Sequence, residues 1–254
     1  MTDVTPQLPT LLNILVTAND AIMRIYNANE TIVTDKEDGS PLTQADIAAH
    51  KIITLGLTKL FPHIPVVSEE GDLAANAKTV RDDTFWLVDP LDGTKEFIKR
   101  NGQFTVCIGL IERGVPTFGL LSAPALNEMW YGGPSRGSFK ATHEGVQPIH
   151  VSAQKTNIVL GSLTHPSPET DAYIADHYPG AHITEVGSQL KFTRIAEGQA
   201  DVYPRIGAPL KLWDVASGHA VLAGAGGSIV RPDGSALDYN EPSMLIGDFV
   251  ARAE

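Results

Sequence analysis

Cysteine is almost missing. Cys107 is the one thiol in 254 residues, so neither an intramolecular disulfide framework nor a cysteine-based zinc cluster can be built. A lone thiol is consistent with a reducing compartment. Basic charge is scarce as well: 19 Lys and Arg face 30 Asp and Glu, a formal net charge of −11. Non-specific nucleic-acid binding needs a basic face, so no nucleic-acid polymer is expected as a partner. An anionic small molecule stays open, because divalent cations can stand between acidic groups and phosphate. No long apolar run occurs. Leu11 to Ile25 is interrupted by Asn13, Asn19, Asp20 and Arg24, so no transmembrane span is expected. Met1 to Thr10 contains Asp3 and no Lys or Arg, so no secretory signal is expected. The expected place of action is the cytoplasm, with a peripheral contact at the inner membrane left open. Walker A and HExxH motifs are also missing. Gly224-Ala225-Gly226-Gly227 follows a helical pattern, so it reads as a helix end capped at Gly224 rather than a dinucleotide loop. Asn29-Glu30-Thr31 fits a glycosylation sequon, read as coincidence without a secretion signal.

What is present suffices for a large core: 43% of residues are hydrophobic. Leu8, Leu11, Leu12, Leu15, Ala18, Ile22 and Ile25 recur at helical spacing. Thr31 to Thr43 reads as a hairpin or loop with a turn at Asp38-Gly39, and Thr43 with Asp46 resembles a capping box opening a second helix that ends at Phe61. Pro65 to Ser68 is a short strand, followed after Glu69 and Glu70 by a polar loop to about Asp83. Phe85 to Val88 is an apolar strand that runs into Asp89-Pro90-Leu91-Asp92-Gly93-Thr94. Phe104 to Ile111 and Val115 to Ser122 are further strands, and Tyr131 to Phe139 reads as a glycine-rich turn region. From Pro148 onward strands and helices alternate: strands at Asn157 to Gly161, Asp201 to Tyr203 and Gly227 to Val230, helices at Pro168 to His177, Ser188 to Glu197 and Trp213 to Ala223. The expected division is an N-terminal α+β part, 1–147, and a C-terminal α/β part, 148–254.

The sharpest chemical signal is the pair Asp89 and Asp92 at the end of an apolar strand. Ligand sites often lie at the carboxyl ends of strands in open sheets. Pro90 fixes φ, and Gly93 lets the backbone come close to a ligand. Taken alone, such a pair also fits a solvated turn. Glu69-Glu70 ends the preceding strand in the same way, and Asp214 after Trp213 also fits a helix cap. Carboxylates that converge repel by roughly 4 kcal/mol at about 4 Å and an effective dielectric near 20, so a cluster needs cations or protons. Hard oxygen donors suit Mg²⁺ or Mn²⁺. The eight His residues show no ligand spacing; His219 reads as a packed histidine, and Trp86 and Trp213 as core.

Three motifs carry a resemblance. Val67-Ser68-Glu69-Glu70, Trp86-Leu87-Val88-Asp89-Pro90-Leu91-Asp92-Gly93-Thr94-Lys95-Glu96-Phe97, and Leu212-Trp213-Asp214-Val215-Ala216-Ser217-Gly218-His219-Ala220 resemble the inositol monophosphatase superfamily in order and spacing. Inositol monophosphatases typically continue DGT with Thr-Asn. The continuation Lys95-Glu96-Phe97-Ile98 resembles the CysQ-type 3′(2′),5′-bisphosphate nucleotidase branch. So do Ser40 to Asp46, Gly187 to Phe192 and Ala196 to Arg205. The similarity runs from about Ile14 to the C-terminus and is poor over Asp72 to Asp83 and Asn157 to His182. Gln189 stands where the branch usually has a small residue.

This resemblance implies an α/β fold, the layered αβαβα sandwich of the inositol monophosphatase and fructose-1,6-bisphosphatase type. It implies an enzyme, a Mg²⁺-dependent phosphoric monoester hydrolase working by two-metal in-line water attack, inhibited by lithium. Glu69, Asp89, Asp92, Asp214 and the Leu91 carbonyl would hold two ions, with Glu70 on a water or a third, weaker one; Mn²⁺ is a substitute. Thr94 with Asp46 would orient the attacking water. The Gly93 and Thr94 amides would bind the phosphate being cleaved, close to Glu69, Leu91, Asp92 and Asp214. Ser188, Lys191 and Arg205 would approach the nucleotide and its 5′-phosphate. The expected substrate is 3′-phosphoadenosine 5′-phosphate, a by-product of sulfate assimilation. Inositol monophosphate, a sugar bisphosphate, or non-catalytic sensing of a phosphorylated metabolite are the alternatives. Monomer and homodimer both stay open.

Overall fold

The computed structural model describes residues 2–28, 33–35 and 41–253. The sequon at Asn29 and the hairpin turn at Asp38-Gly39 lie outside the described residues. The chain opens with helix α1 (Leu8–Asn27), which buries Leu11, Leu15, Ala18 and Ile22 and packs the partly buried Leu8, Leu12 and Ile25 beside them. Strands β1 (Val33–Asp35) and β2 (Pro41–Thr43) pair antiparallel, as expected of hairpin arms. Helix α2 (Gln44–Leu60) begins with a capping box: Thr43 N–H donates to Asp46 Oδ2 at 2.8 Å, and Ala45 N–H donates to Thr43 Oγ1 at 3.1 Å. Then come β3 (Val66–Ser68), α3 (Leu73–Thr79), β4 (Thr84–Asp92), α4 (Thr94–Ile98), β5 (Thr105–Glu112), β6 (Val115–Ala123), β7 (Glu128–Gly133), β8 (Gly137–Thr142) and β9 (Gly145–Ile149).

The second stretch holds β10 (Ile158–Ser162), α5 (Pro168–His177), β11 (His182–Val186), α6 (Leu190–Ala196), β12 (Val202–Arg205), β13 (Leu210–Lys211), a 3₁₀ turn (Leu212–Asp214), α7 (Ala216–Gly224), β14 (Ser228–Val230), β15 (Leu245–Ile246) and β16 (Phe249–Arg252). Strands β3 to β9 form one sheet in chain order, parallel between β3 and β4 and antiparallel after that. The other main sheet runs β11-β10-β12-β16-β14, with β10 parallel to both neighbours.

Side-chain alternation stacks these sheets into five layers. In β4, Trp86 and Val88 pack with α1 and α2, while Phe85 and Leu87 face the opposite way, toward α6 and α7. In β12, Tyr203 packs with α6 and α7 while Val202 faces α5 with Ile174. The order is therefore helix, sheet, helix, sheet, helix, the αβαβα sandwich expected.

Several local expectations are corrected. The polar loop after Glu70 contains α3: Asp72 caps it by accepting from Ala75 N–H at 2.8 Å, and the following Ala-rich residues favour helix. The turn region at Tyr131 to Phe139 is mostly two paired strand ends, with Tyr131 opposite Phe139 and their rings stacked at 5.4 Å. Gly224 does not cap α7; it lies in the helix, where a Cβ would strike Gly133 and Ser138, and the left-handed residue is Gly226 (φ 97°). The expected helix from Trp213 is divided, a 3₁₀ turn and then α7.

The start of α7 rests directly on β5 and β6. A Cβ on Gly119 would run into the backbone oxygen of Ser217. Gly119→Ala is therefore expected to destabilise the fold by roughly 2–3 kcal/mol in a urea unfolding curve and to lower activity as it lifts the segment carrying Asp214. The same sheet also fastens α6 through Glu197, which takes Trp130 Nε1–H at 2.8 Å and Lys140 Nζ at 2.9 Å.

Candidate active site

The pairing register brings the acidic residues together. Because β3 runs parallel to β4 with Ser68 beside Val88, and Glu69 N–H donates to Val88 O at 3.0 Å, Glu69 emerges next to Asp89. The Glu69-Glu70 turn is held from behind by α3, where Asn76 Nδ2 donates to Ser68 O at 2.7 Å. In β4, Asp89 pairs with Cys107 but Asp92 pairs with Thr105, so β4 carries one residue more than β5 across this span. In a regular strand residues 89 and 92 would face opposite sides. The bulge restores them to one side, and Leu91 correspondingly packs with Trp86 and Val88 against the α1 and α2 layer. Asp214, at the end of the 3₁₀ turn, arrives on the same side as Asp89.

These residues line one cleft of about 730 Å³. Glu70, Leu91, Gly93 and Thr94 line it too, with Ser188, Lys191 and Arg205. Among the described residues no three Asp, Glu, His or Cys side chains are drawn into a ready-made ligand cluster. They are nonetheless electrostatic neighbours. Burial, then the charges of Glu69, Asp92 and Asp214, push Asp89 well above the usual carboxylate range. Burial, then Asp92 and Glu69, do the same to Asp214. Burial lifts Asp92 to about 7 against the pull of Lys191 and the Gln189 amide.

Each carboxylate is also aimed by the backbone. Asp89 Oδ1 accepts from Leu91 N–H at 3.0 Å, Asp92 Oδ2 from Gln189 N–H at 2.6 Å and Thr105 Oγ1 at 3.1 Å, and Asp214 Oδ2 from Lys211 N–H at 2.9 Å. The capping reading of Asp214 is thus satisfied by one oxygen, with the other left to the cleft. Crowded, hard oxygen donors whose repulsion asks for positive charge fit Mg²⁺ or Mn²⁺ and not zinc.

Thr94 begins α4 after Gly93 turns the chain with φ 89°. Its Oγ1 lies 3.3 Å from Asp46 Oδ1 and 3.3 Å from Leu91 O, while Thr43 N–H and Oγ1–H hold Asp46 Oδ2. The capping box of α2 therefore also orients the acid that Thr94 addresses.

The cleft also carries basic groups. Lys191 is buried, its Nζ donates to Val186 O at 3.1 Å and Ser188 O at 2.7 Å, and burial pulls it down to about 8. Arg205, also buried, donates to Ala208 O at 2.8 Å and His165 O at 2.7 Å. The Ser188 hydroxyl is buried and, among the described residues, has no hydrogen-bond partner. Sequence reasoning gave no role to His165, Thr164, Tyr203 or Lys211, which line the same cleft. The signal available for His165 was its place just past the carboxyl end of β10, the position where open sheets bind ligands. Lys95 Nζ reaches His165 Nε2 at 3.0 Å and Glu96 Oε1 accepts from Thr164 Oγ1 at 2.7 Å, so the Lys95-Glu96 pair ties the DGT turn to that loop. His219 lies outside the cleft lining; its Nδ1 meets Tyr239 OH at 3.0 Å, and burial drives it down to about 4, a packed histidine. Trp86 and Trp213 are buried, as expected of core residues.

Comparison with known proteins identifies the family and the fold. Residues 5–253 match the model of the inositol monophosphatase family. The chain is 44% identical over 224 residues to the 3′(2′),5′-bisphosphate nucleotidase CysQ of Salmonella typhimurium, covering 87% of this chain and 89% of that protein. It is 45% identical over 227 residues to CysQ of Escherichia coli K12, with the same coverage of 87% and 89%. Among solved structures, CysQ from Bacteroides thetaiotaomicron superposes with a TM-score of 0.85 at 34% identity over 98% of both chains. The Thermotoga maritima inositol monophosphatase shares the fold, with a TM-score of 0.80 at 21% identity over 98% of this chain and 92% of that one.

Proposed function

The chain belongs to the inositol monophosphatase family, and we propose that within it this chain is a Mg²⁺-dependent 3′(2′),5′-bisphosphate nucleotidase that converts 3′-phosphoadenosine 5′-phosphate to AMP and phosphate. The observation that carries this reading is that one cleft gathers both signs of charge. Glu69, Asp89, Asp92 and Asp214 line it, and so do Lys191, Arg205 and the Lys95–His165 pair. A substrate with two phosphates matches such a site. The reacting phosphate meets the acidic groups through cations, and the second phosphate meets the protein's own positive groups. The named activity of the CysQ relatives supports the same assignment.

In this reading Glu69, Asp89, Asp92, Asp214 and the Leu91 carbonyl hold two divalent cations, with Glu70 on a water or a third, weaker ion. Bound cations supply charge neutralisation at the transferring phosphoryl group and a lower pKa for the attacking water. The chain's own groups do the positioning. Thr94 Oγ1 takes the proton of the attacking water while passing its own to Asp46 Oδ1, which the Thr43 cap keeps aimed at it. The Gly93 and Thr94 amides hold the phosphoryl oxygens as the water oxygen bonds to phosphorus and the bond to the 3′-oxygen breaks. The leaving oxygen takes its proton from solvent. Ser188 offers the nucleotide its hydroxyl, and Lys191 and Arg205 face the 5′-phosphate. No helix among the described residues is long and apolar enough to cross a membrane; the proposed place of action is the cytoplasm.

Phosphate release from 3′-phosphoadenosine 5′-phosphate and from inositol monophosphate at equal Mg²⁺ tests the substrate. The nucleotide is expected to win by about a hundredfold in kcat/KM, since only it can use the basic groups. Equal or faster release from inositol monophosphate would remove the nucleotide from the assignment.

A further inference from the structure

Gln189 is 1% exposed and does not line the cleft. Its polar atoms all engage the protein, and they reach segments that the sequence holds far apart. Its backbone N–H donates to Asp92 Oδ2 at 2.6 Å. Its side-chain Nε2 donates to Trp213 O at 2.7 Å. Its Oε1 accepts from Ser217 Oγ at 2.8 Å and from Gly218 N–H at 2.8 Å. The backbone thus holds Asp92 from β4, while the side chain grips both flanks of Asp214, just before it and at the start of α7. A small residue here would keep only the first of these bonds and leave a buried carbonyl, hydroxyl and amide without this partner.

We infer that Gln189 is a positioning residue that fixes how far apart Asp92 and Asp214 stand, and through them sets the affinity of the site for divalent cations. The inference rests on the cation reading of these carboxylates given above. It assigns Gln189 no contact with the nucleotide, because its carboxamide oxygen and nitrogen are both occupied by residues 213–218. Groups that orient ligating carboxylates typically change metal affinity by 10–100-fold when removed.

The test uses the full chain and two variants. Gln189→Met keeps an unbranched side chain of similar length and removes both polar ends. Ser138→Ala is a stability control: it deletes a buried tie, Ser138 Oγ to Val221 O at 2.7 Å, farther along α7. Mn²⁺ binding is titrated by electron paramagnetic resonance without nucleotide, and Tm is recorded for all three proteins. Gln189→Met is expected to bind Mn²⁺ about tenfold more weakly than wild type, and Ser138→Ala within about twofold of it, although both lose Tm. At saturating Mg²⁺ the KM of Gln189→Met for the nucleotide is expected to stay within about twofold. Wild-type Mn²⁺ affinity in Gln189→Met, an equal loss in Ser138→Ala, or a tenfold rise in that KM each overturns the inference alone. A wild-type chain that takes up no Mn²⁺ overturns the cation reading and the inference together.

Discussion

Asp89→Asn is expected to lower kcat by at least about a thousandfold while the metal-free protein holds or gains Tm. The catalytic half of this follows from position. Asp89 is 2% exposed and lies among Glu69, Asp92 and Asp214. The substitution removes a charged oxygen from the proposed cation site and with it charge neutralisation in the transition state, the largest kind of contribution an enzyme makes. The stability half follows from the same crowding. An amide oxygen still accepts from Leu91 N–H, so the strand end stays in place. What disappears is the cost of holding a buried carboxyl, charged or protonated, among three others. Steady-state phosphate release and calorimetric Tm, measured with and without Mg²⁺, check both halves. Retained turnover would remove Asp89 from the mechanism, and a collapsed Tm would make it a structural residue.

Chelation of divalent cations is expected to abolish turnover and to expose a pH dependence of stability that Mg²⁺ hides. Asp92 is held up to about 7 from an ordinary value of 3.8, chiefly by burial. Asp89 and Asp214 are pushed in the same direction. A carboxyl whose folded pKa is raised keeps its proton where the unfolded chain has lost it, so its contribution is present below about pH 4 and is lost as pH rises toward 7. The chelated protein should therefore unfold more readily at pH 8 than at pH 5. The difference attributable to the Asp92 shift is on the order of 3 kcal/mol. Saturating Mg²⁺ should flatten that slope, because binding to the native state favours the ionised carboxylates. Urea denaturation at the two pH values, with chelator or with Mg²⁺, reads this directly. A flat chelated profile would mean that the folded chain does not hold these carboxyls protonated.

Long periodic patterns translated well into structure. The apolar stripe of α1, the Thr43 cap of α2 and the buried run of β4 each carry a local physical signal, and the structure has all of them. Pieces without such a signal stayed hidden. α3 buries only Asn76, so it leaves no apolar stripe to read. β7 and β8 meet at Gly132, Gly133 and Gly137, which suggest a turn, although it is the neighbouring sheet that decides their pairing. Within the site, the acidic motifs were legible because each ends a strand or opens a helix. The bulge that aligns Asp89 with Asp92 depends on register against β5, which no window of local sequence contains. Lys191 and Arg205 were legible as positive charge. That their heads are held by backbone carbonyls, and that Lys95 and Glu96 fasten the His165 loop, depends on contacts between distant segments.

The additional residue in β4 has a consequence for how this chain can vary. The proposed mechanism depends on a parity: were the strand regular over these three steps, every side chain beyond Asp89 would change layers, Asp92 toward the packing of Trp86 and Leu91 toward the acidic floor. The composition of the turn can drift wherever its shape survives. The bulge cannot be straightened at this length, because a regular run would part the two acids onto opposite layers.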